Sequence, residues 1–126
     1  MSNVMTCVLL GTFWLTGCAF DLAHVSFTPT VCTPRSDKSF RIKDTTSITG
    51  APCGYDRTLS KGTKWNLVGT IPEGEVYKSK DQVLTVECSN IHEAYLVVSK
   101  NSVVGFYLPV EKGFVKLRKS ITLSVE

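Results

Sequence analysis

From Trp65 to the C-terminus the chain is written in short apolar runs with a period of two. "KWNLVGTI", "EVYKSK", "DQVLTVEC", "EAYLVVSK", "VVGFYLPV", "KGFVKL" and "SITLSV" are rich in Val, Thr, Tyr and Phe, the residues that suit a pleated, half-buried surface. Between them stand turn signals: "PEGE" (Pro72 to Glu75), "SNIH", and "KNS", whose Asn101 tolerates the left-handed backbone of a hairpin. No stretch sustains a 3.6-residue period. Turns at about every eight to twelve residues predict an all-β fold, a small barrel or sandwich. Upstream the pattern weakens. "SFRIKD" alternates enough for one strand, with Phe40 and Ile42 on one face, and "GYDRTLSKGTKW" reads as a loop with two glycines.

The N-terminus follows a different rule. Val4 to Leu15 reads "VMTCVLLGTFWL", without a charged residue. A membrane-spanning helix needs about 20 apolar residues, so this run has the length of a signal-peptide hydrophobic region instead. Leu15-Thr16-Gly17-Cys18 follows, and it resembles the lipobox of bacterial lipoproteins: a Leu, two small residues and an obligatory Cys. The resemblance implies that Cys18 receives a diacylglycerol, that cleavage falls before it, and that acyl chains hold the mature protein on a membrane. Ala19 at the next position implies sorting to the outer membrane, facing the periplasm. "MSNVMT" departs from the family in having no Lys or Arg, which favours a phage or plasmid origin. The expected organisation is a signal peptide over 1–17, an extended lipidated tether over 18–38 and a small β domain over 39–126.

A second resemblance covers residues 65–117. "VGTIPEGEVY…LTVEC…HEAYLVVSKNSVVGFYLPV" is similar in layout to bacterial SH3-like domains, with the two-glycine segment at Gly69 to Gly74 and the Gly-aromatic pair at Gly105-Phe106. It implies an SH3-like barrel but carries no chemistry of its own.

Cysteine usage changes the picture after cleavage. Cys7 leaves with the signal and Cys18 takes the lipid, so Cys32, Cys53 and Cys88 remain. In an oxidising envelope this predicts one disulfide and one buried thiol. Cys32 and Cys53 both sit beside Pro or Gly in turn-rich stretches. Their pairing closes a loop of about twenty residues and stabilises by roughly 3 kcal/mol. A Cys53–Cys88 bond is the alternative. Alternation puts Cys88 on the face of Leu84 and Val86, as a small core hydrophobe.

Fourteen Lys/Arg against eleven Asp/Glu leave a formal charge of +3, too little clustered cation to imply nucleic acid. With no CxxC pair and only His24 and His92, no metal site and no cofactor are expected. G-x-S-x-G, H-E-x-x-H and P-loop patterns are absent. Cys88 and His92 lie four apart, a spacing that brings side chains together on a helix rather than a strand and turn, so no enzyme is expected.

Recognition falls to aromatic and basic residues. Tyr55, Trp65, Tyr77, Tyr95, Phe106, Tyr107 and Phe114 are the candidates, with Phe106 expected inside and Tyr107 exposed. Tyr55, Arg57, Lys61 and Trp65 share one loop region, where binding residues concentrate. Lys112, Lys116, Arg118 and Lys119 form a basic patch, with Lys116 and Arg118 on one side of a strand and Val115, Leu117 and Lys119 opposite. It suits anionic headgroups or peptidoglycan, or an edge strand protected by charge. Glu73 and Glu75 are expected to face solvent.

The expected function is that of a lipid-anchored binding or scaffold accessory of an envelope assembly, such as a secretion or conjugation machine, with an envelope protein complex or peptidoglycan as partner. A phage- or plasmid-encoded exclusion or inhibitor lipoprotein is the alternative. A small periplasmic hydrolase is the remaining one. Nothing in the sequence sets the oligomeric state.

Overall fold

Alternating Val, Tyr and Phe runs do fold as strands, and no helix occurs among the described residues. The computed structural model describes residues 22–30, 38–50, 56–88 and 90–126. Its strands are β1 (Leu22–His24), β2 (Thr28–Pro29), β3 (Ser39–Arg41), β4 (Thr46–Ile48), β5 (Arg57–Leu59), β6 (Lys64–Ile71), β7 (Gly74–Ser79), β8 (Thr85–Glu87), β9 (Ile91–Glu93), β10 (Tyr95–Ser99), β11 (Ser102–Leu108) and β12 (Gly113–Thr122). A curled antiparallel sheet runs in the order β1-β12-β11-β10-β7-β6-β2, with β3 also on β6; β4-β5 and β8-β9 form two small hairpins. The protein is all-β.

Turn chemistry sets the register. Pro72 and Glu73 link Ile71 to its partner Gly74, and Lys100 and Asn101, both at positive φ, link Ser99 to Ser102. Such two-residue loops match the right-handed twist of their strands. "KGFVKL" and "SITLSV", expected as separate strands, run together through β12, and Ile91 and His92 belong to a strand rather than to the preceding turn. After Leu123 the backbone turns back to β3: Lys43 N–H donates to Ser124 O and Glu126 N–H to Arg41 O, each at 2.9 Å.

Two bulges divide the side chains between two cores. Leu67 pairs with Tyr77 and Gly69 with Val76, leaving Val68 as an extra residue on β6. Val104 is likewise extra on β11, between Val103 opposite Val98 and Gly105 opposite Val97. An added residue reverses which face later side chains meet. Before the β6 bulge, Trp65 and Leu67 join the main core with Phe106, Leu96, Leu108, Val115 and Leu117; at and past it, Val68 and Ile71 join a second cluster with Val76, Val97, Tyr107 and Phe114. The β4-β5 and β8-β9 hairpins add Ile48, Leu59 and Val86 to the main core.

Gly105 sits where these layers touch. A Cβ there would meet the Val115 carbonyl oxygen and the Phe114 ring. Gly105→Ala is therefore expected to destabilise by about 1–3 kcal/mol, the cost of overpacking, seen as a lower urea midpoint; an unchanged midpoint would mean that β11 and β12 separate at little cost.

Residues 22–30 belong to the fold, which corrects the expected tether over 18–38 for that part. Leu22–His24 pairs with Val115–Gly113 on β12, and Thr28–Pro29 pairs with Thr70–Gly69 on β6. Residues 25–27 thus strap the second cluster from one edge strand to the other, with Val25 and Phe27 packed on it. Phe27 stacks on Tyr107, centroids 4.9 Å apart and planes at 12°. Tyr107, expected to be exposed, is buried for this reason, and Phe106 is buried on the opposite face.

Candidate functional site

The strap makes a cleft. Val25, Ser26 and Phe27 of the strap line it together with Val68, Tyr95, Tyr107 and Pro109, and its volume is about 780 Å³. Among the described residues, Lys78 and Lys112 are its charged lining residues, and no Asp or Glu lines it. That volume lies in the range of ligand pockets, about 300–1,000 Å³. Each lysine is placed by its element. Lys78 on β7 lies over the Tyr95 ring, its Nζ 5.7 Å from the centroid, within cation–π range. Lys112 closes the β11–β12 turn at positive φ, and its carbonyl accepts the Val25 N–H at 3.2 Å. Burial pushes the Tyr107 phenol above its ordinary value, with the charge of Tyr95 adding to the shift. Tyr107 therefore stays neutral and can donate a hydrogen bond at physiological pH. Aromatic faces beside two cations, without a carboxylate, suit an apolar group that carries negative charge.

A second cavity of about 410 Å³ lies between β3, β7 and the C-terminal residues. Two of its charges, Lys38 and Glu75, are engaged with each other. Lys38 Nζ donates to both oxygens of Glu75, at 2.8 and 2.9 Å, and the Tyr77 hydroxyl donates to Glu75 at 3.4 Å. The Glu75 hydrogen bond raises the Lys38 pKa, and burial, followed by the Glu75 charge, raises that of Tyr77. Phe40 tilts against Tyr77 at 59°, with centroids 4.7 Å apart. Glu75, expected in solvent, is thus an ion-pair partner, and Glu73 has a buried Oε2 without a hydrogen bond.

The loop cluster expected from the sequence does not assemble. Trp65 is fully buried and its indole N–H donates to Thr63 Oγ1 at 3.1 Å, so it offers no surface to a partner. Arg57 joins elements of the fold. Its Nε donates to the Thr85 carbonyl, Nη1 donates to the Asp56 carbonyl at 3.1 Å, and Nη2 lies 3.8 Å from Glu87. Lys61 is exposed, and its backbone N–H donates to Thr45 Oγ1 at 3.1 Å. Tyr55 lies outside the described residues, as do Cys18, Cys32 and Cys53.

Cys88 is disulfide-bonded, which corrects the expectation of a buried thiol; its sulfur does pack on the main core beside Leu84 and Val86. The expected Cys32–Cys53 bond falls outside the described residues. His92, the other half of the conceivable thiol–base pair, sets Nδ1 2.5 Å from Glu111 Oε1. Among the described residues no group of three or more His, Cys, Asp or Glu side chains is placed to hold a metal.

The basic patch divides. Lys112 joins the cleft, whereas Lys116, Arg118 and Lys119 are exposed further along β12. Lys116 and Arg118 do project opposite the buried Val115 and Leu117. Val25, Phe27, Lys78 and Pro109 were not among the expected site residues. The available signal was the period of two in "HVSFTP", where Val25 and Phe27 share a face. No family model, curated protein or solved structure matches this chain.

Proposed function

We propose that this chain is a lipid-anchored lipoprotein of the outer membrane, facing the periplasm, which acts as a binding accessory of an envelope protein assembly. The uncharged run ending in Leu15-Thr16-Gly17-Cys18 supports the anchor. A disulfide at Cys88 fits an oxidising compartment such as the periplasm. The observation that carries the binding role is the cleft in which Phe27, Tyr95 and Tyr107 stand beside Lys78 and Lys112, with no acidic lining residue among the described residues. Its occupant is an extended segment of a partner protein bearing an aromatic or aliphatic side chain next to Asp or Glu. Tyr anchors such contacts at little entropic cost, and membrane tethering raises the effective concentration enough for a modest interface to suffice.

Photocrosslinking in intact membranes tests this reading. A benzophenone side chain at Tyr95 is expected to give one stoichiometric adduct with an envelope protein, and the same group at the exposed Ser47 none. Lys78→Glu with Lys112→Glu is expected to reduce the adduct at least tenfold, because close like charges across an interface are strongly unfavourable, while leaving the urea midpoint in place. An adduct that survives the double reversal would refute the cleft as the docking site.

A further inference from the structure

We propose that the β12 segment Lys116, Arg118 and Lys119 lies against the anionic phospholipid surface into which Cys18 is anchored, so that lipid and cations hold the domain together. This rests on the reading of Cys18 as the acylated residue. Two observations place anchor and cations on the same side. Leu22 pairs with Val115 and His24 with Gly113, so the antiparallel register directs the chain upstream of Leu22 toward the Lys116 end of β12. Cys18 is four residues before Leu22, and covalent geometry limits that separation to about 14 Å. A dozen free residues would let the body swing clear of the membrane; four do not.

The cations at that end are available. Lys116, Arg118 and Lys119 are all exposed. The ion pairs among the described residues belong to Lys38, Arg57 and His92 instead. Arg118 is fixed by its backbone, whose N–H donates to the Gly50 carbonyl at 3.4 Å, and a Cβ added at Gly50 would lie only 3.5 Å from the Arg118 Cβ. This leaves the guanidinium at the surface without a carboxylate partner among the described residues. Each Lys or Arg near an anionic bilayer adds appreciable attraction, and the attraction decays within a Debye length, about 8–10 Å. An anchor within about 14 Å brings the patch close to that range. Lys112 and the cleft lie at the other end of the β1–β12 ladder, reachable from the aqueous side.

The experiment uses the full chain purified from membranes, after intact mass has established acylation at Cys18. The protein is reconstituted into vesicles of phosphatidylcholine alone or with about one-third phosphatidylglycerol, and backbone hydrogen exchange of residues 116–120 is followed. Slower exchange is expected in the phosphatidylglycerol vesicles only. Salt near 0.5 M is expected to abolish the difference, as is the triple change Lys116→Gln, Arg118→Gln, Lys119→Gln. The unacylated full chain is expected to sediment with the anionic vesicles about a hundredfold more tightly than its triple variant. Equal exchange in both vesicles for an acylated protein would overturn the inference and leave the anchor standing. A mass without acyl groups would remove the anchor itself, and the inference with it.

Discussion

Trp65→Ala is expected to destabilise the domain by about 3–5 kcal/mol, the range for deleting a fully buried large aromatic side chain. Trp65 is wholly enclosed by the main core, and its indole N–H is satisfied by Thr63. Alanine would leave a cavity lined by side chains from several strands, while the Thr63 hydroxyl would keep its hydrogen bond to the Ser60 carbonyl. For a domain of this size that loss is a large share of the total stability. Urea unfolding followed by far-ultraviolet circular dichroism reads it as a large fall in the midpoint. Tyr95→Ala is the contrasting change: Tyr95 is half-buried at the cleft, so its truncation should weaken the crosslinked complex far more than the fold. If Trp65→Ala kept its midpoint and lost the partner instead, the assignment of roles to these two aromatics would be reversed.

Cys88→Ser should destabilise by about 2–5 kcal/mol, the usual consequence of removing a native disulfide from a small domain. Cys88 ends the β8 segment, next to Val86 and Leu84 in the main core. Its bond therefore ties the β8-β9 hairpin, which pairs with no other strand among the described residues, to another part of the chain. Reducing the wild type with dithiothreitol should lower the urea midpoint to about that of Cys88→Ser. A wild type indifferent to reduction would show that the bond contributes nothing to stability.

The fold class was legible because the long strands β6, β10 and β11 each carry enough alternation, bounded by turn residues, to be recognised locally. The missing strands were β1, β2, β4, β5 and β9, of two or three residues each, too short for periodicity to register. Ile48 and Leu59 are fully buried on β4 and β5, yet each is a single apolar residue in a polar stretch. Trp65 was misassigned because it follows the glycine-bearing turn so closely; the turn ends within the loop reading, and the strand begins at Lys64. Tyr107 was misassigned because strict alternation presumes one wet face, whereas the strap covers the second cluster. The cleft was not legible at all. Phe27, Val68, Lys78, Tyr95 and Lys112 are scattered over the chain, and only the curl of the sheet and two bulges bring them together.

One feature of β6 bears on how this protein can vary. Thr30 donates to the Val68 carbonyl and the Leu67 N–H donates to the Lys38 carbonyl, so neighbouring positions on β6 are met by residues eight apart in sequence. The ladder resumes where it stopped, and whatever length of polypeptide intervenes does not change the register on either side. Doubling such an excursion costs only about 0.6 kcal/mol in closure entropy. A change in the number of residues between Thr30 and Lys38 would thus leave the side chains of the sheet on the faces they now occupy.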